Sequence, residues 1–166
     1  MKKNIIFITS IGAIVSFISG VISVSILTRN ILQQKEYKID KFKGYYYLLN
    51  HWLTLKQNEK FLETYFKDRG YNSIAIYGMG ELGNHFYEEM KNTDIEIKYA
   101  IDKNASTTDV DIEIINLEDE LPKVDVIVVT ATFAFDEIYK NISTITDIPV
   151  VSLDDIVYGV DINEEI

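Results

Sequence analysis

The sequence predicts an α/β protein: a Gly-loop-bearing, doubly wound parallel sheet of about five strands in the order 3-2-1-4-5, preceded by a transmembrane helix and a helical stalk. Three observations carry this. From residue 72 onward, short apolar runs alternate with apolar stripes at helical spacing, the β-α-β-α pattern that right-handed crossovers turn into a parallel sheet. A glycine triplet, Gly78, Gly80 and Gly83, stands between the first apolar run and the first stripe. Residues 4–28 contain no charged side chain and are dominated by Ile, Val and Phe.

The uncharged segment is read as a membrane-spanning helix, because roughly 20 apolar residues suffice to cross the hydrocarbon layer. A secretory signal peptide is the competing reading, with Lys2 and Lys3 ahead of the run and Ser23, Val24 and Ser25 resembling a cleavage site. Its apolar core would be about 7–15 residues, which favours an uncleaved anchor. Arg29, Lys35, Lys38, Lys41 and Lys43 crowd the far flank and outnumber Lys2 and Lys3, so a single-pass protein of the cell membrane with its C-terminal domain in the cytoplasm is expected. Within the span, Gly12, Ser16 and Gly20 recur every fourth residue, a small-residue stripe through which two copies, or this chain and a membrane partner, could pair.

Residues 29–44 read as a basic linker, suited to lying near anionic head groups. Residues 45–70 read as a helical pair: Tyr45 to Leu55 has the apolar density of one helix, and Phe61, Leu62, Tyr65 and Phe66 mark a second that ends near Gly70. Its aromatic residues suit either the membrane boundary or packing against the head, and packing is favoured. His51 belongs to this pair and carries no catalytic expectation.

The head, 72–158, follows element by element. A strand from Ser73 leads into the glycine triplet; Leu82, Phe86 and Met90 then fall at four-residue intervals and give the next helix one apolar face. A second strand covers Ile95 to Ile101 and ends at Asp102. A weaker strand is expected around Ile112 to Ile115, a short helix near Leu117 to Leu121, and a buried strand at Val124 to Val129. A helix from about Phe135 to Ile145, with Thr132 as a candidate N-cap, and a strand from Pro149 to Leu153 complete the series. Ser152 and Asp155 have the spacing of a capping box for a terminal turn through Val157.

The loop Gly78, Met79, Gly80, Glu81, Leu82, Gly83 is the candidate binding element. The first glycine permits the tight turn, the second lets a backbone approach a pyrophosphate, and the third lets helix and strand pack closely, with the helix N-terminus offering partial positive charge. A nucleotide is therefore the default ligand. Asp102 stands at the end of the second strand, where a carboxylate can bind ribose hydroxyls, which favours NAD(H) over NADP(H) because a 2′-phosphate would meet that charge. A solvated turn residue is the alternative for Asp102. Thr130, at the carboxyl edge after the fourth strand, could donate to a ribose or phosphate. Glu81 argues the other way, since a carboxylate pointing inward would repel a pyrophosphate, and a purely structural glycine turn stays open.

Composition excludes several classes. Residues 1–70 carry 11 basic and 5 acidic side chains, which leaves 5 basic and 21 acidic between 71 and 166, so the head lacks the basic footprint of a nucleic-acid binder. The absence of cysteine removes disulfides and thiolate chemistry. His51 and His85 are the only histidines, and no metal centre is expected.

The segment from Asn72 to Tyr158 resembles the NAD(P)-binding Rossmann domains of nucleoside-diphosphate-sugar epimerases and dehydratases, in the short form associated with bacterial surface-polysaccharide synthesis. Ile74 to Gly83, Tyr99 to Lys103 and Asp125 to Thr130 carry the likeness, which covers about half the chain and specifies the superfamily better than an activity. The resemblance implies a nucleotide or nucleotide-sugar ligand and a membrane-bound glycan-assembly partner. Such epimerases use a Tyr-x-x-x-Lys pair after the fourth strand. Here Tyr37/Lys41, Tyr87/Lys91 and Tyr99/Lys103 have the spacing, but all precede that strand. The sequence also runs only a few residues past its fifth strand, so an accessory or regulatory role is expected in preference to an autonomous epimerase or a non-binding scaffold.

Overall fold

The computed structural model describes residues 2–102 and 110–160, without the side chains of 2–19 and 21. The chain forms two compact units, Met1–Tyr46 and Tyr47–Ile166. In the first unit the described chain is helical throughout, as part of α1 (Lys2–Gln57). The basic linker expected at 29–44 lies within this helix. Gln33, Gln34, Lys35, Glu36 and Lys38 are good helix formers, and no glycine or proline interrupts 21–43. Among the described residues, no helix is long and apolar enough to cross a membrane. The expected span at 4–28, with Gly12 and Ser16, lies largely outside the described side chains.

In the second unit the end of α1 buries Leu48, Trp52 and Leu55, three positions on one helical face. Of the aromatic run, Trp52 thus packs into the core, while Tyr46 and Tyr47 are exposed. The chain turns at Glu59, whose φ of 57° is left-handed, and enters α2 (Glu63–Asp68), shorter than expected, with Tyr65 and Phe66 buried. Gly70, at φ 69°, closes α2: its N–H donates to Lys67 O at 3.0 Å and that of Tyr71 to Phe66 O at 3.0 Å, the pair of bonds that satisfies a helix's last carbonyls.

The sheet comprises β1 (Ser73–Tyr77), β2 (Glu96–Ile101), β3 (Ile114–Ile115), β4 (Val126–Val129) and β5 (Val150–Ser152). All its pairings are parallel and the order is β3-β2-β1-β4-β5, as the alternating pattern predicts. Its helices are α3 (Glu81–Met90), α4 (Phe135–Ile142) and α5 (Leu153–Gly159). Alternation sends β1 side chains to opposite faces. On one face Ala75 joins Tyr99, Ile101, Ile127, Val129 and the α4 residues Ile138 and Ile142 in a single cluster. α3 contacts β1, buries Leu82, Phe86 and Met90 as their spacing requires, and places Phe86 6.1 Å from the Phe66 ring of α2. Asp125 ties the start of the sheet together, accepting from the N–H groups of Asn72 and Ser73, each at 2.8 Å.

Three expectations are corrected. Residues 117–121 form a turn, not a helix: the Asp119 carboxylate accepts from Asn116 N–H at 2.9 Å, and Pro122 follows at once. α4 stops at Ile142, and a short 3-10 turn, Thr132–Ala134, precedes it, so Thr132 does not cap α4. At α5 the Ser152 hydroxyl does cap, accepting from Asp154 N–H at 3.3 Å.

Candidate functional site

The carboxyl edge of the sheet brings the sequence-selected residues together. β1 ends at Tyr77, and Gly78 turns the chain with φ of 95°, a conformation side chains resist. Three contacts fix this turn. Gly78 N–H donates to Ile101 O at 2.9 Å, Met79 N–H donates to Asp102 Oδ2 at 2.6 Å, and the Thr130 hydroxyl donates to Gly78 O. The last residue of β2, the residue after it and the residue after β4 thus clamp one loop.

The three glycines have different physical reasons. A Cβ on Gly83 would lie 2.0 Å from Gly78 O, so only glycine lets α3 cross β1 this closely. A Cβ on Gly78 would meet the Thr130 hydroxyl at 3.1 Å. At Gly80 an added Cβ meets nothing within 4 Å, and the residue is exposed at the N-cap of α3. Among the described residues no side chain caps that end, which leaves first-turn N–H groups directed at the edge where an anion would sit.

Burial separates the remaining candidates. Met79 and Leu82 point into the protein and hold the loop by packing. Glu81 is exposed in the first turn of α3. Thr130 is 3% exposed with its hydroxyl directed at main chain, so it positions the turn. Asp102 is half-buried and lines a cleft of about 350 Å³.

That cleft has a definite origin. The β3–β4 connection contains no helix among the described residues, and Leu117 and Leu121 pack against the sheet there. Among the described residues, the cleft lies between this turn and α4. Tyr77, Gly78, Ile101 and Asp102 form the floor, Leu117 one wall, and Ala134, Glu137, Ile138 and Asn141 the other. Burial pushes the Tyr77 phenol above its ordinary value, and the Asp102 and Glu137 carboxylates add to the effect. Among the described residues the lining holds two acids, Asp102 and Glu137, and no cation.

Sequence reading missed Glu137 and Asn141. The signal was available: Ile138 and Ile142 face the core, so the residues one position before each stand on the adjoining helical flank. Of the tyrosine–lysine pairs, neither Tyr87 nor Tyr99 is among the described residues that line the cleft. Tyr99 is buried with its hydroxyl donating to Pro122 O at 2.8 Å, and Lys103 falls outside the described residues. Tyr87 is buried in α3, and Lys91 pairs with Glu88 at 2.7 Å. His51 stacks on Tyr158 at 4.7 Å between ring centroids. Among the described residues, no group of three or more His, Asp or Glu side chains could hold a metal ion.

No known protein family, no curated protein and no solved structure matches this chain.

Proposed function

We propose that the second unit is a nucleotide-binding head of Rossmann type, taking NAD(H) or a nucleotide sugar, on a single-pass membrane protein. The observation that carries this reading is the open Gly80, at the uncapped N-terminus of α3, beside a cleft floored by Asp102. Ligands of parallel α/β sheets sit at this edge. A cleft of about 350 Å³ encloses one nucleoside, being near the low end of small-molecule pockets. The phosphates would then run over Gly80 toward the first turn of α3. Asp102, which also holds the Met79 N–H, would take the ribose hydroxyls; a carboxylate accepts up to about four hydrogen bonds.

The acidic lining disfavours a 2′-phosphate, which supports NAD(H) over NADP(H). The uncharged run at 4–28 and the lysines after it support a membrane anchor with the head in the cytoplasm. An accessory role in surface-polysaccharide assembly rests on the family resemblance. Ligand occupancy would bias contacts with a membrane-bound partner, which requires different affinities in two states of the head. A tyrosine–lysine pair in the cleft would favour turnover; among the described residues the lining contains none.

Calorimetric titration of the full chain in lipid nanodiscs with NAD⁺, NADH, NADPH and a UDP-sugar tests this. Binding that Gly80→Val abolishes while the fold persists supports the site. No heat with any of the four, from folded protein, leaves an interaction scaffold with an empty glycine turn.

A further inference from the structure

Large apolar side chains stand exposed along the part of α1 that forms the first unit, and from Leu32 onward a subset of them is regularly spaced. Leu32, Ile39 and Phe42 are 54%, 52% and 71% exposed. Leu32, Ile39 and Tyr46 are seven residues apart, and Phe42 falls three after Ile39 and four before Tyr46. In a heptad abcdefg the first three take position a and Phe42 takes d. In the sequence the same register continues through Leu49 at d and Leu53 at a, both of which the second unit, taken alone, leaves exposed. Three heptads thus carry one apolar seam with Lys35 as its internal polar break, the length at which heptads argue for a coiled coil.

Within the second unit, the seam positions are distinct from the face of α1 that the unit buries. Leu48, Trp52 and Leu55 fall at c, g and c. Folding of that unit therefore leaves its own a/d positions, Leu49 and Leu53, exposed. We infer that a second copy of this chain covers the seam, forming a parallel two-stranded coiled coil through Leu32, Ile39, Phe42, Tyr46, Leu49 and Leu53.

Three arguments select a second copy. A 3-4 seam is complementary to itself in register, each a or d side chain entering a hole on the other helix. Phe42 alone would bury on the order of 100 Å² of aromatic surface, and the six side chains together approach the roughly 800 Å² per partner of a stable interface. The parallel sense rests on the anchor proposed above, which puts both N-termini in one bilayer. Lys38 at g would then face Lys43 at e of the other copy; exposed and screened by salt, that repulsion weakens the pair without forbidding it.

The chain has no cysteine, so single introduced thiols report proximity without background. In full-length protein in membranes, with a mild oxidant, Ile39→Cys and Phe42→Cys should give several-fold more disulfide-linked dimer than Asp40→Cys and Lys41→Cys, which lie at b and c. Equal yields at all four positions, or no dimer at any, would overturn the proposal. Adding Lys38→Glu to Ile39→Cys should raise the yield by pairing with Lys43 of the other copy, and a fall would overturn the parallel register and point to an acidic foreign helix. Carbonate extraction of the same membranes reads anchoring separately: a chain that is released yet still cross-links at 39 and 42 loses the anchor and keeps the seam.

Discussion

Gly83 lies so close to Gly78 that a single added carbon at Gly83 would stand 2.0 Å from the Gly78 carbonyl oxygen. That atom is backbone, held by the Thr130 hydroxyl, and cannot swing aside. Gly83→Ala must therefore push α3 off β1, and we expect a loss of about 3 kcal/mol or more despite alanine's better helix propensity. Gly80→Ala, with nothing within 4 Å of its new carbon, should change stability by less than about 0.5 kcal/mol. Denaturant melts of the two variants check the contrast. Equal effects would mean that the loop does not have this geometry.

Asp102 links stability to ligand binding in a separable way. Its carboxylate holds the N–H of the buried Met79 at 2.6 Å. Asp102→Ala leaves that donor without this partner, at a cost of about 1–3 kcal/mol. Asp102→Asn retains an oxygen acceptor and should lose less than half of that. If the carboxylate also binds ribose hydroxyls, both variants should weaken NAD⁺ binding at least tenfold, a loss of roughly 1.4 kcal/mol or more. Asparagine therefore separates the two roles, with stability read by melts and affinity by calorimetry.

The second unit was legible where local pattern decides structure. The four-residue spacing of Leu82, Phe86 and Met90 places α3, and the unbroken run at β4 marks a strand buried on both faces. Strand order follows from the connection rules. At residues 29–44 polar composition suits a linker and a solvated helix equally, so composition alone does not choose between them. Residues 117–121 misled because one apolar turn does not reveal that Asp119 will close the chain on Asn116. At the candidate site, the glycines and Asp102 were visible as a motif. The inward turn of the Thr130 hydroxyl depends on Gly78, 52 residues away, and has no local signature.

Glu89 shows the same limit. Its carboxylate, only 5% exposed, accepts from Trp52 Nε1 at 2.6 Å and Leu62 N–H at 3.0 Å, and pairs with Lys56 at 2.8 Å. It joins the end of α1 to α3 across 37 residues of sequence. Glu89→Ala should cost about 2–3 kcal/mol, discounted because Lys56 is partly exposed and finds water. A double-mutant cycle of Trp52→Phe with Glu89→Gln should show a coupling of about 0.5–3 kcal/mol. Trp52 is the only tryptophan, so in Glu89→Gln its fluorescence reports this contact directly. An unchanged emission maximum would argue against the bond.

Two aspartates give the stability of this unit opposite responses to pH. Asp125 titrates below its ordinary value of 3.8, chiefly because the Asn72 and Ser73 N–H groups bond to its ionised form. A lowered folded-state pKa means stabilisation that is complete above the unfolded value and lost as pH falls through the folded one. Asp154 is shifted upward, first by burial and then by the neighbouring Asp155 charge. The folded protein then binds that proton more readily than the unfolded chain, so the contribution of Asp154 falls as pH rises from 3.8 through its raised folded value. At neutral pH the half-buried Asp154 charge opposes folding. Denaturation of Asp125→Asn between about pH 3 and 7 should show a flatter acid limb than the parent. Asp154→Asn should be more stable than the parent at pH 7 and converge with it at low pH. Convergence at neutral pH instead would mean that Asp154 carries no burial penalty.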